Sequence, residues 1–141
     1  MVTSDRVLRI SAAVFAVVFT LVVASGWIPG WYTYDGKERM LFGLFMISAL
    51  DDITHGVTAI ACAVAAIHSA RLVRFLFVTF GSYYALDAIF YLLYGTVNDK
   101  GLVPNILLNL PHVLISTIML GIAYKLAPSL PDGGLQTSIV G

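Results

Sequence analysis

Ionisable side chains occur inside three apolar stretches of this sequence, and their types could bind a metal ion or move a proton. Asp52 and His55 stand in one stretch, Asp87 in the next and His112 in the last. Imidazole and carboxylate groups are ligands for transition metals such as Zn²⁺, Cu²⁺ and Fe²⁺, and histidine also exchanges protons near neutral pH. If the fold brings these four side chains together, the sequence predicts a transition-metal site or a proton relay.

Further polar residues repeat at intervals of three and four along the same stretches, which places side chains on one face of a helix. The residues expected to line the site are Asn109, Tyr84, Tyr91 and Asn105. Because a polar group is costly against lipid, we expect each stripe to face the interior of a bundle. Asp52 and Asn109 each stand three residues before a histidine, and we expect one of them to orient an imidazole.

The composition determines which elements can hold these residues. Of the 141 residues, 59% are hydrophobic and only 11% are charged, whereas soluble domains carry about 25% charged residues. The formal net charge is zero, and no cluster of lysine and arginine indicates a nucleic-acid partner. The sequence therefore predicts an integral membrane protein whose main partner is the lipid bilayer.

Four apolar runs reach the length of about 20 residues that a helix needs to cross a bilayer. They cover residues 7–27, 48–69, 72–96 and 103–126. None alternates as a barrel strand would, so the fold class is all-α: an antiparallel bundle of four transmembrane helices within residues 1–127. A mobile polar tail is expected at 128–141, after the last helix. The only polar side chains on the first run that could face the bundle are hydroxyl groups. We therefore expect the first helix to pack against the others without contributing a site residue.

The segment between the first and second spans carries mixed features. Residues 40–50 are apolar and predict a short interfacial helix that bends into the membrane near Asp51 and Asp52. Aromatic residues cluster just before it, which is typical of a membrane interface. They are Trp27, Trp31, Tyr32 and Tyr34.

The basic residues indicate an orientation, because cytoplasmic loops carry an excess of lysine and arginine. Five of the eight fall on the side of both termini, namely Arg6, Arg9, Arg71, Arg74 and Lys125. We therefore expect cytoplasmic termini in an inner membrane. At 1.5 Å per residue, His55, Asp87 and His112 then lie at one level, roughly 10–14 Å below the outer surface.

Two segments of the sequence echo one another. Residues 50–55 and 107–112 share one motif, in which an Asp or Asn is followed three residues later by a His. The motif is Asp52-x-x-His55 in the first segment and Asn109-x-x-His112 in the second, and both are expected at the outer end of a helix. The echo indicates two related helix pairs, the first with the second and the third with the fourth.

The sequence also resembles an uncharacterised family of small four-helix bacterial membrane proteins over most of its length. The resemblance is carried by Leu41-Phe42-Gly43-Leu44-Phe45, Asp52-x-x-His55-Gly56, Gly101-Leu102-Val103-Pro104-Asn105 and Asn109-x-x-His112. It implies a four-helix fold and a bacterial membrane setting, and it implies no activity. Pro111 and Asp87 depart from the family's pattern.

Several functions fit this pattern. The first is a non-catalytic accessory or scaffolding subunit of a larger membrane complex or homo-oligomer, in which the polar residues only fix helix packing, for about 0.6–2 kcal/mol each. The second is the metal site or proton relay. The third is a haem or chlorophyll-type tetrapyrrole held by His55 and His112. No nucleophile–base pair, phosphate loop or cofactor motif indicates an enzyme, and transport of a solute is disfavoured because only the fourth helix is interrupted, by Pro111.

Overall fold

The computed structural model describes residues 4–36, 38–98 and 102–126. Four helices and one small sheet make up these residues. In chain order they are α1 (Ser4–Ser25), β1 (Tyr32–Asp35), β2 (Glu38–Leu41), β3 (Phe45–Ile47), α2 (Ala49–His68), α3 (Ala70–Asn98) and α4 (Leu102–Lys125). The predicted tail at 128–141 lies outside the described residues.

Each of the four helices is long and apolar enough to cross a membrane, and the predicted helical bundle is confirmed. Within the described residues α1 covers Ser4–Ser25, and Asp5 in its first turn favours a helix N-terminus. It ends at Ser25, just before the Gly26 and Pro29 that interrupt helical backbone.

The start of α2 is determined by a capping box. The Ser48 side chain accepts a hydrogen bond from the Asp51 amide, and the Ser48 amide donates to Asp51 Oδ2 at 2.8 Å. Two of the unpaired amides at the helix end are thereby satisfied. At the other end, extended backbone at Ser69 alone separates α2 from α3.

The interfacial helix predicted for residues 40–50 is wrong. Residues 40–47 instead supply the end of β2, a turn and β3 of a three-stranded antiparallel sheet in the order β1-β2-β3, with Tyr32 opposite Leu41 and Arg39 opposite Ile47. Residues 49 and 50 already belong to α2. Gly36 and Gly43 have φ of 62° and 66°, values that close turns and that interrupt a helix. The strands on the outer sides of these two glycines contain Tyr32, Tyr34, Phe45 and Ile47, residue types that favour strands.

The helices pack mainly in two pairs, α1 with α2 and α3 with α4. An arginine in the first turns of each pair's leading helix binds the end of its partner. Arg9 donates from Nε to the Ala66 carbonyl at 2.7 Å and from Nη2 to the Ile67 carbonyl at 2.9 Å. Arg74 donates from Nε to the Ala123 carbonyl at 2.9 Å. These guanidinium groups satisfy carbonyls that a helix C-terminus leaves unpaired.

The core of the bundle is apolar and aromatic. Its largest fully buried side chains are Tyr84, Phe19, Phe77, Leu8, Met119, Val73, Thr58 and Cys62. Apolar side chains also cover most of the outer surface of every helix. A chain that is apolar both inside and outside suits a lipid surrounding rather than water.

Candidate functional site

Three of the predicted site residues meet between α2, α3 and α4. The centroids of the His55 and His112 rings are 6.1 Å apart. The Asp87 carboxylate reaches His112 from α3. The predicted grouping of two imidazoles and one acid is therefore present, with Tyr84 packed against both rings.

Asp87 and His112 form the closest polar contact of this group. His112 Nδ1 lies 2.8 Å from Asp87 Oδ2, and both side chains are about three-quarters buried. A carboxylate at this distance accepts a hydrogen bond from Nδ1 and holds the ring in one orientation. The other nitrogen, Nε2, then remains the atom through which His112 can exchange a proton.

His55 lies in a stack of aromatic rings. The Phe19 ring of α1 is 5.6 Å from it at 26°, and the Tyr84 ring of α3 is 6.0 Å from it at 13°. Phe19 and Tyr84 also stack on each other at 5.5 Å. These two aromatic rings pack against the imidazole and restrict its rotation.

Tyr84 is positioned by a hydrogen bond to Thr58. Thr58 Oγ1 lies 2.8 Å from the Thr54 carbonyl and 3.0 Å from the Tyr84 hydroxyl. Thr58 has one hydroxyl proton and donates it to that carbonyl, so the Tyr84 hydroxyl must donate to Thr58 Oγ1. Both side chains are almost completely buried, and Tyr84 therefore places its ring, rather than its hydroxyl proton, against the two histidines.

Asp52 is held by the sheet, at the end of α2 that follows β3. It forms an ion pair with Arg39 of β2, and both side chains are largely buried, at 14% and 11% exposure. The Arg39 guanidinium lies 4.4 Å from the centroid of the Trp27 ring. Arg39 Nε is buried and has no hydrogen-bond partner within the described part of the chain.

Two asparagines of α4 form hydrogen bonds on the side of the helix that faces α3. The Asn105 side chain bonds to α3, and the Asn109 side chain bonds within α4. Asn105 donates from Nδ2 to the carbonyls of Tyr91 at 3.2 Å and Leu92 at 2.8 Å. Asn109 donates from Nδ2 to the Asn105 carbonyl at 2.9 Å. The side chain of Tyr91 is exposed, so only its carbonyl takes part in this arrangement.

The prediction that Asp52 or Asn109 orients an imidazole is therefore wrong, because each of these side chains has a different partner. Asp52 pairs with Arg39, and Asn109 bonds to Asn105. Asp87, which comes from a different helix from either histidine, orients His112 instead.

Sequence reasoning missed three contributors: Phe19, Thr58 and Arg39. Thr58 stands three residues after His55, and extension of the polar stripe by one turn would have found it. Phe19 carried no signal, because an aromatic residue in an apolar run is usually core. Arg39 lies between two predicted spans, where a basic residue by itself does not indicate a buried ion pair.

The arrangement gives little support to a metal or a tetrapyrrole. Across residues 4–36, 38–98 and 102–126, no group of three or more His, Cys, Asp or Glu side chains is placed to hold a metal ion. Tyr84 lies 5.5 Å from the His112 ring and 6.0 Å from the His55 ring. A macrocycle ligated by both histidines would have to displace this buried tyrosine.

Comparisons with protein-family models, with characterised proteins and with solved structures find no match to this chain. The fold and the site define its class without them. Over the residues that the structure describes, it is a small bundle of four helices, each of spanning length, with a His–Asp–Tyr cluster between three of them.

Proposed function

We propose that the protein is a multi-pass membrane protein that binds and relays protons through the Asp87–His112 pair. The observation that carries the proposal is the 2.8 Å contact between Asp87 Oδ2 and His112 Nδ1 inside an apolar bundle. Ionisable groups are rare within membrane spans, and paired acids and histidines there commonly serve proton pathways. The proposal describes a non-catalytic protein.

The proposed arrangement in the membrane is antiparallel, with both termini on the cytoplasmic side of a bacterial inner membrane. The contact of Arg9, near the start of α1, with the end of α2 supports it, as does the contact of Arg74, near the start of α3, with Ala123 near the end of α4. Arg9, Arg71 and Arg74 then lie together on one side, as the bias of basic residues toward the cytoplasm requires.

In this proposal each residue of the cluster has one role. Asp87 accepts the hydrogen bond from Nδ1 of His112 and stabilises the imidazolium that forms when His112 takes up a second proton at Nε2. His55 is the next proton acceptor, and its ring, 6.1 Å from that of His112, lies within the reach of one bridging water. Phe19 and Tyr84 keep the two rings in register.

Proton movement in liposomes tests this proposal. The protein is reconstituted with an internal pH-sensitive dye, a membrane potential is imposed with potassium and valinomycin, and internal acidification is followed. We expect wild-type protein to acidify the interior faster than protein-free liposomes, and His112→Gln and Asp87→Asn to abolish the difference. His68→Gln, at the end of α2 and exposed, is the matched control and should retain the wild-type rate. Equal rates for wild type, His112→Gln and empty liposomes would overturn the relay.

A second function is favoured by the outer sheet. Trp31, Phe42, Leu44 and Met46 are large apolar side chains, each about half exposed, in the short sheet and in the segments next to its strands. Such a surface suits an accessory subunit that docks on a larger membrane complex. Co-purification of one defined partner with wild type, lost on Phe42→Ser and Met46→Ser, would support this function.

Metal and tetrapyrrole binding through His55 and His112 stay predictions. Protein purified in mild detergent would carry about one metal ion per chain or show a porphyrin-type absorption band if either were correct. Loss of that signal in a His55→Ala/His112→Ala variant would assign it to these residues.

A further inference from the structure

The first helix pair is joined by two contacts at a fixed separation. Arg9 binds the Ala66 carbonyl at 2.7 Å, and Phe19 stacks on His55 at 5.6 Å. On α1 the arginine and the aromatic residue are ten positions apart, and on α2 the histidine and the alanine are eleven apart.

The second helix pair is joined by the same two contacts. Arg74 binds the Ala123 carbonyl at 2.9 Å, and Tyr84 lies 5.5 Å from His112. The separations are again ten positions on the leading helix and eleven on the following one. Both helices of the second pair therefore match those of the first without any gap.

Burial follows the same alignment. The residues before the two arginines, Leu8 and Val73, are both fully buried. The residues seven after the two histidines, Cys62 and Met119, are fully buried as well. Core positions thus agree even where the residue types differ, which is what two copies of one packing unit require.

Corresponding residues also contact each other across the two pairs. Phe19 stacks on its counterpart Tyr84 at 5.5 Å, and His55 lies 6.1 Å from its counterpart His112. Contact of a residue with its own equivalent occurs at an approximate two-fold axis. The polar cluster therefore lies where the two units face each other.

From this alignment we infer that the chain is a tandem repeat of one helix pair, and that position 22 is the counterpart of Asp87. Val22 stands three residues after Phe19, as Asp87 stands three residues after Tyr84. The residue at this one position decides which histidine receives an acid. With aspartate at 87 and valine at 22, the acid-paired imidazole is His112 and not His55.

The residue types at positions 22 and 87 therefore determine which histidine of the proton site is paired with an acid. This role in proton binding rests on the proposed function. The geometry of the pairing is independent of proton movement. Val22 is half-buried near the end of α1, one helical turn beyond the Phe19 that packs on His55. A carboxylate at 22 should reach His55 as Asp87 reaches His112, since side chains at i and i+3 share one helix face.

Transfer of the acid from one unit to the other tests the inference. The double variant Val22→Asp/Asp87→Val is labelled with ¹⁵N-histidine and compared with wild type by NMR in lipid nanodiscs. The chain has three histidines, so each signal can be assigned by a single His→Gln change. We expect the hydrogen-bonded Nδ1–H signal to disappear from His112 and to appear at His55, with His68 unchanged.

The matched control is Val23→Asp/Asp87→Val, which adds the same charge one position further along α1. A step of one residue turns a helix by about 100°, so this variant should lose the His112 signal without a gain at His55. If Val22→Asp does not fold, as judged by helix content and a single particle size, Val22→Asn/Asp87→Val supplies an uncharged acceptor of the same shape. An unchanged His55 signal in the folded position-22 variant would overturn the inference, whatever the liposome measurement finds for proton movement.

Discussion

Arg39 of the three-stranded sheet forms an ion pair with Asp52 of α2, one helical turn before His55. The pair fastens the sheet to the end of the bundle that holds the polar cluster. Trp27, in the turn after α1, lies against the Arg39 guanidinium. The Arg39 side chain of β2 therefore contacts both α2 and the turn that follows α1. The pair uses the acid that would otherwise be available to the nearby histidine.

Arg39→Gln should loosen the sheet and destabilise the protein by roughly 1–3 kcal/mol, because it leaves the buried Asp52 carboxylate without its counter-charge. The free energy of unfolding in mixed micelles with increasing SDS measures this effect. Tryptophan emission gives a local readout, since the chain has only two tryptophans and Trp27 loses its cation. Arg71→Gln, at an exposed position on α3, is the control. Equal emission and stability for the two variants would contradict the role given to Arg39.

Asp87 and His112 should be energetically coupled. A double-mutant cycle of Asp87→Asn and His112→Gln should give a coupling energy of about 0.6–2 kcal/mol, the range found for hydrogen bonds between membrane helices. The same cycle between Asp87→Asn and His68→Gln should give none, because distant sites are additive. A coupling of zero in the first cycle would mean that the two groups do not interact in the membrane.

Thr58→Val should destabilise the bundle by about 1–3 kcal/mol, because it leaves the buried Tyr84 hydroxyl without an acceptor. Thr58→Ser keeps that acceptor and should behave almost as wild type. In the double variant Thr58→Val/Tyr84→Phe both polar groups are absent, and much of the lost stability should return. Unfolding in SDS micelles compares the three. If Thr58→Ser were as unstable as Thr58→Val, the effect would come from packing and not from the hydrogen bond.

Gly81→Ala should separate α3 from α4. A Cβ at Gly81 would lie 2.9 Å from Leu120 Cγ and 3.2 Å from Met119 Cβ, too close for either to remain in place. We expect a loss of about 1–3 kcal/mol from overpacking. Gly121→Ala meets nothing within 4 Å and should gain up to about 1 kcal/mol from helix propensity. Leu120→Ala in the Gly81→Ala background should recover part of the loss, and its failure to do so would contradict this close approach.

Much of the helical architecture could be predicted, because it depends on local properties of the chain. Apolar runs of spanning length identified the four helices of the described residues, and the interval of three and four residues identified the stripes that carry His55, Asp87 and His112. The sheet at residues 32–47 was missed, since glycine-closed turns in an apolar segment resemble an interfacial helix when only hydrophobicity is considered. The weak echo between the two histidine motifs indicated the helix pairs, and the contacts of Arg9 and Arg74 extend it into a full register.

The sequence by itself determined that the chain has four long apolar helices and that three of them carry ionisable residues at similar heights. Length, hydrophobicity and helical period are properties of each segment alone, so they could be read without the fold. Only the tertiary structure decided that Asp87 pairs with His112, that Asp52 pairs with Arg39, and that Phe19 and Tyr84 pack around His55. These pairings depend on the rotation and offset of whole helices relative to one another. Shifts of a few ångströms, set by packing at places such as Gly81, decide which acid reaches which base.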